Sequence, residues 1–407
     1  MTQTVEEKGK TPISFLMATL MAFSLNMMGL GEVFFLRDLR GASSLQIGSY
    51  VCIFWIAYVV GCLLVQPRMR HVSAVVLLLS SMIGMGGIAI AILLTHTIWG
   101  FFIIAAIKGV IMSHFWPVIM GWVSAGLEGK ALNRRLGRFN LSWNLGIVSG
   151  PLIGGILSDI RGEWPMFLAV VCFLGGGTAM LILCLKHREV FVFKGEQRRR
   201  KQTTSLAEDR STPLRFPAWI GMLAAFVACG IMVSIFPLIA TEQLAISKAE
   251  AGSLLTYRSL AMTATFATLA RMNWWHDRIW PMAIGLIILA GSQLLLMHSG
   301  NGIWLSLVVC LTGIQTSLAY NQSLFHGASG AIDRTTRMAI HESLLGAGFG
   351  IGAVLGGWLY AAHGADITFL VTAVILVIAA SLQFLFSISS KLKSHRPSEL
   401  DLVIEDR

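Results

Sequence analysis

The sequence predicts an all-α integral membrane protein of two pseudo-symmetric six-helix bundles, with twelve transmembrane helices. Three observations predict it. The chain is 55% hydrophobic and only 13% charged, with a mean hydropathy of +0.71, whereas soluble domains carry roughly 25% charged residues. Its apolar runs repeatedly reach the roughly 20 residues that cross a bilayer as helix, and none alternates with the period of a barrel strand. The third observation is an internal repeat that relates the two ends of the chain.

The spans fall at about 12–36, 45–65, 74–94, 98–125, 139–159, 165–185, 217–240, 251–271, 281–298, 303–326, 339–361 and 366–387. The first run, Pro12 to Leu36, is longer than the roughly 7–15 apolar residues of a signal-peptide core and has many successors, so it reads as a retained helix. Residues 186–216, KHREVFVFKGEQRRRKQTTSLAEDRSTPLRF, form the only long polar interior segment. The chain thus divides into a tail (1–11), six spans (12–185), a basic linker (186–216), six spans (217–387) and a second tail (388–407). The six cysteines all lie in apolar runs without the spacing of metal ligands or a redox pair, and read as packing.

A net charge of +10 raises nucleic acid as a partner, but the basic residues are sorted by topology. Lys108 and Arg258 fall inside spans; Arg37, Arg40, Arg161 and Lys248 fall on one side; all the others collect on the side of the tails and linker. The positive-inside rule then places both termini in the cytoplasm of a multi-pass plasma (inner) membrane protein. The charge reports orientation in a lipid bilayer, and no nucleic-acid partner is expected.

The stretch NLGIVSGPLIGG puts Gly146, Gly150 and Gly154 four residues apart, with Pro151 and Gly155 beside them. Glycine costs about 1 kcal/mol and proline about 3 kcal/mol in a helix interior, so something rewards them. One constant offset places Arg135 on Arg337, Gly146 on Gly348, Gly150 on Gly352, Gly154 on Gly356 and Leu157 on Leu359; near it, SLQIGS (44–49) falls on KAEAGS (248–253). Small residues four apart make a smooth strip on which helices pack closely in lipid. Repetition in both halves favours an interface between halves that has to move.

With these features the chain resembles the major facilitator superfamily over essentially its whole length. Twelve spans, a basic middle loop, termini inside and GIVSGPLIGG carry the resemblance, and the last is similar to the glycine-proline motif of the superfamily's proton-coupled exporters. The resemblance implies that spans 1, 4, 7 and 10 line a central cavity, that 2, 5, 8 and 11 form the interface between halves, and that 3, 6, 9 and 12 are outer supports. Two positions depart from the family pattern. GCLLVQPRMR keeps Gly61, Arg68 and Arg70 but has Val65 at the usual aspartate, and Ala105 stands where span 4 usually carries an arginine ahead of Gly109. The family's coupling mechanism is therefore not carried over by those motifs.

A charge at the bilayer centre costs at least about 2.5–3.5 kcal/mol on insertion scales, so each one is a functional candidate. Glu32, Lys108, Arg258 and Glu342 lie within spans 1, 4, 8 and 11. Lys108 and Arg258 either attract an anionic group of a solute or pair with Glu32 or Glu342. Glu32 is the candidate proton carrier. Glu342 with His341 suggests a gate at the cytoplasmic end of span 11, the alternative being a helix cap or snorkelling. His114 and Trp116 in span 4, Trp143 and Asn144 in span 5, and Tyr320 and Asn321 in span 10 offer flat and hydrogen-bonding surfaces for a solute pocket, ordinary packing being the alternative. Pro117 is placed to kink span 4.

The sequence thus reads as a monomeric secondary active transporter of a small-molecule solute working by alternating access, most specifically as a proton-coupled exporter, an antiporter using a proton or another coupling ion. An uptake carrier for an organic anion, using Lys108 and Arg258, is the alternative. A membrane enzyme is disfavoured by the lack of G-x-S-x-G, H-E-x-x-H or G-x-x-x-x-G-K-[ST] runs. The short tails and linker disfavour a sensor carrying a signalling domain. No cofactor or metal is expected.

Overall fold

Short hydroxyl side chains set several helix starts. Ser43, Ser73, Thr97 and Ser247 stand in extended backbone, and each accepts a hydrogen bond from the amide three residues on, satisfying a donor that the first turn leaves free. Gln46 and Glu250 complete capping boxes with Ser43 and Ser247. These two boxes sit at matching places in the repeat, so the similarity between SLQIGS and KAEAGS extends to the capping chemistry.

The computed structural model describes residues 5–69, 72–124, 129–186, 212–276, 278–298, 300, 302–329 and 334–394. Its helices are α1 (Val5–Phe34), α2 (Ser44–Val60), α3 (Ala74–Leu94), α4 (Ile98–Ser113), α5 (Trp116–Ser124), α6 (Gly129–Ile160), α7 (Trp164–Lys186), α8 (Arg215–Ser234), α9 (Phe236–Glu242), α10 (Lys248–Leu269), α11 (Trp280–His298), α12 (Ile303–Ala328) and α13 (Arg334–Ser394). Single π-helical turns extend α1 over Phe35–Leu39 and α2 over Gly61–Val65. Most of the expected linker, and the ends of both expected tails, lie outside the described residues.

The twelve expected spans are all helical, with three differences in detail. Span 4 is split between α4 and α5 around His114, where Pro117 lacks an amide to continue the ladder. Span 7 is split the same way between α8 and α9, with Pro237 in the first turn of α9. Spans 11 and 12 run on as α13 and part at Gly364, whose φ of 83° and ψ of −174° break the helix. A Cβ there would meet nothing within 4 Å, so the backbone angle, and not space, calls for glycine.

Packing repeats between the halves. In the first, α1 lies mainly on α6, α2 on α4 and α3 on α7; in the second, α8 lies on α13, α10 on α12 and α11 on α13. The halves meet through α2 on α13 and α10 on α6. Large apolar side chains such as Trp99, Ile103, Val171, Ile303 and Trp304 remain exposed, the surface of a multi-pass membrane protein whose outer faces meet lipid tails.

The glycine strips hold each half together and do not form the interface between halves, which corrects the sequence reading. A Cβ on Gly146, Gly150 or Gly154 would strike α1, around Phe23 and Met27. One on Gly348, Gly352 or Gly356 would strike α8, around Phe226, Val227 and Ile231. Four-residue spacing defines one helix face, and here that face turns toward the first helix of the same half. Gly155, about 100° further round the helix, faces the other half, where its Cβ would meet the carbonyl of Lys248. Gly252 against Pro151, Gly48 against Ala353, Gly357 against Ser44 and Gly346 against Val59 are further close approaches between halves.

Candidate functional site

Two cations stand at one depth. Lys108 is ten residues past the start of α4 and Arg258 ten past the start of α10, which places both about 15 Å along their helices. Both helices start at one end of the molecule: Arg40 binds the carbonyls of Leu93 and Thr95 just ahead of α4, and Asp38, two residues from it, pairs with Lys248 at the start of α10.

Lys108 is 4% exposed and Glu32 is 4% exposed. The Lys108 Nζ lies 2.6 Å from Oε1 and 2.7 Å from Oε2 of Glu32. The rings of Tyr50 and Phe54, from α2, lie 5.7 Å and 5.1 Å from the ammonium, and their faces favour a cation. The structure thus brings together two of the four charges expected inside spans, as an ion pair within the first half.

Arg258 is 5% exposed. Its Nη2 donates to Cys229 Sγ of α8 at 2.8 Å, while Nε has no hydrogen-bond partner among the described residues. Among the described residues no carboxylate pairs with it. The stem lies against Gly313 of α12, where a Cβ would meet the Arg258 carbonyl.

The fourth charge lies between the halves. Glu342 of α13 interacts electrostatically with Tyr320 of α12 and, from the first half, with Tyr58 of α2 and Cys62 just beyond it. His341 turns inward: its Nδ1 is 2.8 Å from Ser323 Oγ, its ring meets Tyr320 edge-on at 4.8 Å, and its Nε2 has no partner among the described residues. Nearby, Trp55 of α2 stacks on Phe349 of α13 at 4.7 Å and 4°, closing the two halves on one another.

The remaining candidates divide. Trp116 and Trp143 meet edge-on at 6.1 Å, and the Trp143 indole donates to Asn140 Oδ1 at 3.1 Å. Asn144 is buried, donates to the Asn140 carbonyl at 2.8 Å and lies 3.2 Å from the Thr263 hydroxyl of α10, so it joins the halves. Asn321 donates to the Ser317 carbonyl on its own helix. His114 stands at the break between α4 and α5 with a buried Nε2 that has no partner among the described residues.

A third set of polar contacts closes the end where α4 and α10 begin. Asp159 accepts from the backbone amides of Lys248 and Ala249 at 3.0 and 2.8 Å, capping α10 from the other half. Lys248 Nζ is 2.5 Å from Asp38, Arg37 is 2.6 Å from Glu242, and the Tyr360 hydroxyl donates to Glu242 at 2.7 Å. The sequence reading missed Asp159, Cys229, Trp55 and Tyr58. Asp159 closes the motif run GGILSD, a placement that signals a helix-end partner; the other three look like ordinary apolar-run residues.

These features define a polytopic transporter with polar groups held between and within two bundles. The family model described as Major Facilitator Superfamily matches residues 14–323 and 218–403, and the chain belongs to that superfamily. It is a transporter rather than an enzyme. It is similar to the multidrug resistance protein MdtG of Rahnella sp. (strain Y9602), 24% identical over 321 residues, with 76% of each chain covered. It is also similar to MdtG of Escherichia coli O6:K15:H31 (strain 536 / UPEC), 25% identical over 323 residues, with 75% of each covered. Among solved structures, a bacterial homolog of the human lysosomal transporter Spinster, in an inward-facing and unoccupied conformation, shares the fold with a TM-score of 0.76 at 14% identity, over 98% of this chain and 100% of that one. The nucleoside transporter NupG does so with a TM-score of 0.70 at 13% identity, over 94% and 99%.

Proposed function

We propose that this chain is a secondary active exporter of a small organic solute, coupled to protons, working by alternating access in the inner membrane with both termini in the cytoplasm. The observation that carries the reading is the placement of Glu342. It stands on α13, interacts electrostatically with Tyr58 of the first half and Tyr320 of the second, and has no ion pair among the described residues. A carboxylate so placed gains or loses a proton as the halves part on one side or the other. Glu32, the proton carrier favoured from sequence, has its charge matched by Lys108, which favours Glu342 for the coupling role.

The Asp159, Asp38 and Glu242 contacts support a closed external end, and the distribution of basic residues supports the orientation. The multidrug resistance relatives support export. Uptake of an organic anion is the second reading, favoured by Arg258, since Lys108 is engaged. The test uses inside-out vesicles carrying the protein with an acid lumen, so that the proton gradient runs outward, and ethidium and benzoate as trial solutes. A solute should release protons from the vesicles, and Glu342→Gln should lower that release at least tenfold while leaving expression unchanged. Solute movement indifferent to the gradient and to Glu342→Gln contradicts the reading.

A further inference from the structure

We infer that the solute carries a carboxylate or phosphate-type anion and that Arg258 is its docking residue, an inference that rests on the transporter reading and names the solute class for it. Charges removed from water are matched by a counter-charge or filled with hydrogen bonds, as Lys108 is by both oxygens of Glu32. Arg258 is equally buried and, among the described residues, has no counter-charge and one hydrogen bond, to a thiol.

The edge that is short of partners is the informative part. Nε and Nη2 lie side by side on one edge of the planar fork, the edge that binds a carboxylate or phosphate through two parallel bonds. Here Nε has no acceptor among the described residues and Nη2 rests on the Cys229 sulfur, a weak acceptor. An anion with two oxygens replaces that thiol contact, supplies the missing acceptor and balances the charge in one step. Lys108 cannot do this without first releasing Glu32, so only one of the two cations at this depth is available to a solute. A neutral amide of the same shape offers one acceptor oxygen and no charge, and should be rejected.

The test is thermal stabilisation of the full chain purified in detergent, titrated with benzoate, phenylphosphonate, benzamide and sodium sulfate. Benzoate or phenylphosphonate should raise the melting temperature, and benzamide should not. In Arg258→Gln the half-saturating anion concentration should rise about 10- to 100-fold, the range of hydrogen bonds to a charged group. Arg258→Lys, which retains the charge and loses the fork, should fall between, and serves alone if the glutamine variant does not fold. Stabilisation by benzamide equal to that by benzoate, an anion response unchanged by either variant, or no response to any anion at 10 mM overturns the inference. Proton release driven by ethidium alongside a failed anion titration removes this inference and leaves the transporter reading. An Arg258-dependent anion response with no proton-coupled solute movement removes the export reading and leaves Arg258 as an anion site.

Discussion

The two halves are built on one packing plan and differ in how they treat a buried cation. The α1–α6, α2–α4 and α3–α7 contacts of the first half recur as α8–α13, α10–α12 and α11–α13 in the second. Within that common frame Lys108 is matched by Glu32, whereas Arg258 is left on a thiol. The difference teaches that the repeat preserves helix contacts and caps, not chemistry. Among the described residues the first half matches its buried cation with its own carboxylate, and the second does not.

The largest effect expected from breaking this comparison is at the ion pair. Lys108→Met leaves Glu32 buried without a counter-charge, which costs about 3–5 kcal/mol. A thermal melt of the variant should show a large loss, and the double variant Glu32→Gln with Lys108→Met should recover most of it. A loss no smaller in the double variant would mean that the two side chains are not coupled.

A middle effect separates contacts within a half from those between halves. Gly352→Ala drives a Cβ into the Val227 carbonyl of α8 inside the second half, overpacking worth about 1–3 kcal/mol, and should lower the melting temperature. Gly155→Ala meets the Lys248 carbonyl of the other half, so it should instead ease separation of the halves at that end, read as greater labelling of cysteines introduced there. Equal losses of stability without a change in labelling would erase the distinction.

The smallest effect is at the cap between halves. Asp159→Asn weakens two charge-assisted bonds to the first amides of α10, about 1 kcal/mol by the usual value of a cap. Spin-label distances across that end should show the open population rising severalfold. An unchanged distance distribution would mean that the neighbouring pairs, Lys248 with Asp38 and Arg37 with Glu242, hold the end without it.

Much of this was legible in the sequence because bilayer physics writes it in composition. Span lengths, the repeat and the four charges inside spans follow from the cost of polar groups in hydrocarbon. Pro117 marked the break in span 4 for the same reason that Pro237, which went unread, breaks span 7. The partner of the glycine strips was not legible, since a smooth face suits a neighbour in the same half as well as one across the interface. Periodicity reports a face and not what it meets. The sequence left Lys108 open between a solute and a carboxylate, and only geometry brought Glu32 to it. Trp55, Tyr58 and Cys229 were hidden because an aromatic or thiol in an apolar run has the signature of packing.

The most direct test compares two melts of the solute-free protein, Lys108→Met and Arg258→Gln. Removing a matched cation strands its partner, while removing an unmatched one relieves a desolvated charge. Opposite signs are expected: a sharp fall for Lys108→Met, and a melting temperature equal to or above that of the parent for Arg258→Gln. A comparable fall in both variants would mean that Arg258 has its own counter-charge within the fold, and would contradict the difference between the halves.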